Sequence, residues 1–199
     1  MPDNDVEVLS ERFTYHRLTD EIEDSNDRSR RLASDYQAKV DVYESRVKTW
    51  FLDLAMKDMV KGTSPADYVA VSIALAYIEG VQQYWEGRGP KARESGTFFR
   101  TSASRVFARA SFSVINSLWK SVRNGLFHTG FTEGPIVLSH AWKRGELEVD
   151  GRYLMIHPAK FVNAVVVDFE KYVHELRTNP SGTLAKNFET LWTIRWEES

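Results

Sequence analysis

The chain has 199 residues, of which 42% are hydrophobic and 13% aromatic, enough for one domain with a sizeable core. It has no cysteine, which excludes disulfides, thiolate zinc sites and cysteine nucleophiles. The net charge of −2 hides an asymmetry: residues 1–27 hold nine acidic and two basic residues, whereas residues 88–128 hold eight basic residues and the single acid Glu94.

The N-terminus, Met1-Pro2-Asp3-Asn4-Asp5, lacks the basic and apolar regions of a signal peptide. The longest apolar stretch, Tyr68 to Ile78, is interrupted by Ser72 and falls short of the roughly 20 residues a membrane span needs. A cytoplasmic protein with no membrane partner is expected. Residues 1–30 are acid-rich and read as a partly irregular lead-in, leaving residues 31–199 as a single domain.

From about residue 31 to 61, Leu32, Tyr36, Val40, Tyr43, Val47, Trp50 and Leu54 recur at steps of three and four, predicting a long helix that ends at Lys61-Gly62-Thr63. Ser64-Pro65-Ala66-Asp67 opens a second helix, with Asp67 acting as a cap and a buried stripe of Tyr68, Val71, Leu75, Ile78, Val81 and Trp85. Gly87-Arg88-Gly89-Pro90 breaks it, and residues 87–96 read as a basic connector.

A third long helix is expected from about residue 97 to 128. On a continuous wheel, Arg105, Arg109, Asn116, Lys120 and Arg123 fall within about 60° of one another, opposite Val114, Ile115, Leu118, Val122 and Leu126. A break near Ser111 or Ser117 would scatter this basic stripe.

Beyond a turn at 129–135 the period changes. Ile136-Val137-Leu138 reads as a short strand, and residues 146–149 and 152–156 as a hairpin about Asp150-Gly151. Pro158 starts a helix carrying Phe161, Val165, Phe169, Tyr172 and Leu176, which stops at Asn179-Pro180. A last amphipathic segment carries Phe188, Leu191, Trp192 and Trp196. The carboxylates Asp168 and Glu175 read as a solvated helix face.

Arg123-Asn124-Gly125-Leu126-Phe127-His128 carries the chemistry. Asn124 and His128 are spaced i, i+4 and share a helix face, with Arg123 one residue away. Arginine forks onto phosphate oxygens, and histidine takes or gives a proton near neutral pH. Those are the parts that cut RNA without a metal, so Arg123, Asn124 and His128 are the candidate catalytic residues. Arg105, Arg109 and Lys120 are the candidate substrate-binding residues. The alternative for the stripe is a basic face that meets the acidic N-terminus of the same chain. His140, His157 and His174 lie 17 residues apart and form no metal set, His140 and His157 reading as strand residues. Phosphate-loop, dinucleotide and nucleophile-elbow patterns are missing from the sequence, and neither a metal nor a cofactor is expected.

The motif and its setting resemble the HEPN superfamily (higher eukaryotes and prokaryotes nucleotide-binding). Its signature is an arginine, commonly followed by Asn, Asp or His, with a histidine after four to six intervening residues. Arg123, Asn124 and His128 match in order and spacing, with Leu126-Phe127 as apolar filling. The resemblance covers residues 31–128 and implies a mainly α fold: a HEPN-like helical bundle with a small β-hairpin insertion at about 146–156 and C-terminal helices. It implies a metal-independent endoribonuclease, of the kind that serves as a toxin or defence effector, acting as a homodimer on RNA. In the alternative reading the chain is a non-catalytic HEPN-like module that binds a nucleotide or a protein, such as an antitoxin or another regulatory partner.

Overall fold

The computed structural model describes residues 5–59, 62, 64–129 and 132–197. It is mostly helical, as the periodicity requires, with two small sheets. The first sheet is a departure from expectation. Residues read as an irregular lead-in form an antiparallel meander of β1 (Val6–Val8), β2 (Phe13–His16), β3 (Glu21–Asp24) and β4 (Arg30–Leu32), in that order. Two things make it hold. Leu9, Phe13 and Ile22 reach the core. The acids are also met locally: Arg12 grips Asp24, and Arg28 and Arg30 grip Glu23. Those arginines draw both carboxyl groups below their usual range. Two acids of the N-terminal segment are thus balanced by arginines of the same sheet and its turns.

The first helix, α1 (Tyr36–Val47), begins later than its periodicity suggests, because Asp35 caps it by accepting from the backbone N–H of Ala38 at 2.7 Å. It runs on through π-helical turns at Lys48–Leu52 and Leu54–Met59. Its expected stop at Lys61-Gly62-Thr63 lies largely outside the described residues. Next, α2 (Ser64–Glu86) forms the centre of the bundle, with Ala70, Val71, Ala74, Leu75 and Ile78 fully buried. Around it pack α3 (Ser95–Val106), α6 (Pro158–Thr178) and α7 (Thr183–Trp192). An aromatic cluster of Tyr43, Tyr84, Phe169, Tyr172 and Phe188 ties α1, α2, α6 and α7 together, with ring centroids 4.7–6.3 Å apart.

The expected helix from 97 to 128 is not continuous. Phe107 leaves helical geometry (ψ 60°), and Ser111 is extended and restarts the chain by capping α4 (Phe112–Ser117) through the N–H of Val114. A π-helical turn, Leu118–Arg123, then leads into α5 (Asn124–Thr129). The basic stripe predicted from a single wheel is therefore split: Arg105 sits on α3, Arg109 in the turn, and Lys120 and Arg123 beyond the restart.

The second sheet has the order β5 (Ile136–Leu138), β7 (Tyr153–Ile156), β6 (Leu147–Asp150). The hairpin is where the sequence puts it, one residue out of register. Asp150 pairs with Tyr153, so the two-residue turn is Gly151-Arg152 and Gly151 takes the positive φ of 58°. A glycine at the first loop position suits a type II′ turn. No helix among the described residues is long and apolar enough to cross a membrane.

Candidate functional site

Arg123 closes the π-helical turn, where the N–H of Asn124 bonds back to the carbonyl of Trp119, five residues earlier. Such widened turns recur at functional sites. The turn aims Arg123 at α2. Its Nε and Nη2 donate to Glu79 Oε2 at 2.9 and 2.6 Å, and its Nη1 donates to Asn124 Oδ1 at 3.3 Å. The guanidinium also lies over two aromatic rings, Trp119 at 4.8 Å and Phe127 at 5.2 Å. Both ends of the Arg123–Glu79 pair are only 18% exposed. Arg123 is therefore fixed in direction, and most of its charge is balanced.

Asn124 and His128 both lie on α5, one turn apart, as their spacing requires. His128 is exposed. Phe127 beside it is 49% exposed and so does not act as apolar filling. The result is a reachable titrating group, a reachable aromatic face and a rigidly held cation within one short stretch of chain.

Two partners of Arg123 were legible in the sequence: Trp119 and Phe127 stand four residues before and after it, on its helix face. Glu79 was not, being 44 residues away with no local signal.

The proposed substrate-binding residues part company. Arg109 and Lys120 are exposed. Arg105 is engaged within the fold. Its Nε and Nη2 donate to Asp168 at 2.9 and 3.2 Å, Nη1 donates to Gln82, and Nη2 donates to Ser102. It also stacks on Trp85 at 4.2 Å. Asp168 is accordingly buried against α3 and does not belong to a solvated face. With Lys160, Asn163 and Lys171, the pair lines a groove of about 440 Å³. Converting Arg109 and Lys120 together to Gln is expected to lower the salt dependence of RNA binding by up to about two counterions and to change stability by less than about 0.5 kcal/mol. Oligonucleotide binding across a salt series, with thermal melts, checks this.

A second group of titratable residues gathers at the other end of α2. Asp67, expected as a cap, is committed to His140, whose Nε2 lies 3.0 Å from both carboxylate oxygens. The His140 and His157 rings meet at 5.3 Å. Neither is a strand residue: His140 follows β5 in a turn, and His157 caps α6, its Nδ1 accepting from the N–H of Lys160. Burial, then the charges of Lys160 and His140, hold His157 below the usual histidine range. Among the described residues no set of three or more His, Asp or Glu could hold a metal ion.

No family model, curated protein or solved structure matches this chain.

Proposed function

We propose that the chain is a metal-independent endoribonuclease of HEPN type. The observation that carries this reading is the pairing of a fixed cation with an exposed imidazole. Arg123 is oriented by Glu79, Trp119 and Phe127, while His128 stands exposed on the next helical turn. In the mechanism, His128 takes the proton of a ribose 2′-hydroxyl. The freed oxygen attacks the adjacent phosphorus, and the bond to the 5′-oxygen breaks as that oxygen gains a proton. Arg123 offsets charge on the phosphorane oxygens, and Asn124 orients Arg123 through its side-chain oxygen. The purified protein should cut RNA in EDTA and leave 2′,3′-cyclic phosphate ends. A strict requirement for a divalent metal would sink the reading.

One histidine serves only one of the two proton transfers. A two-fold dimer supplies the second at no cost in sequence. Exposed Phe112 (70%) and Phe127 (49%), on the elements that flank Arg123, support a covered face there. Mixed dimers of wild type with His128→Ala are expected to lose most of their activity. An active monomer in light scattering would remove the composite site.

A second reading has its own support. Glu79 already occupies two nitrogens of Arg123, which suits a binding module whose arginine is structural. Inactive wild-type protein that co-purifies with a nucleotide or a protein would favour it.

A further inference from the structure

If Glu79 balances Arg123, another group must supply the net positive charge that a phosphodiester needs. We propose that Arg100 is that group: a phosphate-binding residue for single-stranded RNA, set beside the bare glycine that also borders the indole carrying Arg123. The proposal rests on the ribonuclease reading for the position of the scissile bond. It does not rest on that reading for the binding itself.

The geometry is set by Gly96, in the first turn of α3. A Cβ there would lie 3.1 Å from Trp119 Cε2 and 3.2 Å from Arg100 Nη1. The six-membered ring of Trp119 and the Arg100 guanidinium therefore both border the space that a side chain at Gly96 would fill. The same indole carries Arg123 at 4.8 Å and is braced by Phe99 at 5.1 Å. One guanidinium thus stacks on this tryptophan and a second borders the same bare glycine, and their electrostatic states differ. Arg123 is ion-paired. Arg100 is half-buried and, among the described residues, makes no ion pair and no hydrogen bond.

A guanidinium that is neither paired nor fully solvated keeps its charge and its five donors for a ligand. The fork geometry of arginine fits phosphate oxygens, and successive RNA phosphates would be shared between Arg100 and the motif. Arg100 is then a binding residue, and Arg123 acts chiefly on the charge that develops during reaction.

The test uses the full chain carrying His128→Ala, so that cleavage does not consume the probe. The probe is a fluorescein-labelled single-stranded RNA, followed by anisotropy across a salt series. Arg100→Gln should weaken binding about tenfold and lower the salt slope by about one. Arg100→Lys should recover most of the affinity and the slope. Phenylglyoxal footprinting of the chain with native Arg100 adds a readout that does not depend on a variant folding: RNA should protect Arg100 from modification. Equal affinity and slope in Arg100→Gln, or modification of Arg100 unchanged by saturating RNA, would overturn the proposal. The two readings fail separately. Arg100-dependent binding by a wild-type protein that never cleaves RNA would end the ribonuclease reading alone. Cleavage and binding unaffected by Arg100→Gln would end this one alone.

Discussion

Replacing His128 with Ala is expected to lower RNA cleavage by about 10²–10⁴-fold while leaving the melting temperature near that of wild type, because a positioned acid–base group contributes that much and the side chain is exposed. Arg123→Ala should behave differently. It removes the charge that offsets the phosphorane, at a cost of about 10²–10³ in rate. It also strands Glu79, which is only 18% exposed, and so should destabilise the fold by about 1–3 kcal/mol. The double variant Glu79→Ala with Arg123→Ala separates the two effects. It should regain much of the lost stability and none of the lost activity. Rates on a defined RNA, measured beside thermal melts, give both quantities for each variant. Undiminished cleavage by His128→Ala would remove the motif from the chemistry altogether.

Asp168→Ala is expected to be among the most damaging single changes for stability. It leaves the Arg105 guanidinium stacked on Trp85 with Gln82 and Ser102 as its remaining hydrogen-bond partners among the described residues. Breaking a fully buried pair costs about 3–5 kcal/mol, and partial exposure of Arg105 brings this to about 2–3 kcal/mol. For a chain of this size that is a fall of about 4–12 °C in melting temperature. Arg105→Met should cost less, because an apolar side chain can replace the stem without burying a lone charge. RNA affinity, measured well below the melting range, should be unchanged by Arg105→Met. A clear loss of affinity at unchanged stability would return Arg105 to the binding surface.

How far the site could be read from the chain depends on the distance over which each interaction acts. Helical neighbours were visible: Asn124 and His128 share a face because they are four residues apart, and Trp119 and Phe127 bracket Arg123 for the same reason. Ion pairs between distant elements were not. Arg105 and Arg123 look alike as sequence, two arginines on one wheel. What separates each from a free cation is a carboxylate on another element, Asp168 on α6 and Glu79 on α2. The split helix was foreshadowed by Ser111, a residue whose hydroxyl competes for backbone N–H groups. Whether it caps or rides inside a helix was decided by packing on both sides.

By itself the sequence determined most of the helical content after residue 36, the place of the hairpin to within one residue, the stop at Asn179-Pro180, and the order of Arg123, Asn124 and His128. These depend on periodicity and on turn chemistry, which act over a few residues. Only the tertiary structure decided that an acidic N-terminus becomes a sheet, since that required Phe13 and Ile22 to find a core and Arg28 and Arg30 to fold back on Glu23. It also decided which basic residues are ion-paired within the fold. Charge counting along a chain cannot tell a bound cation from an open one, because the counter-charge arrives from elsewhere in the fold.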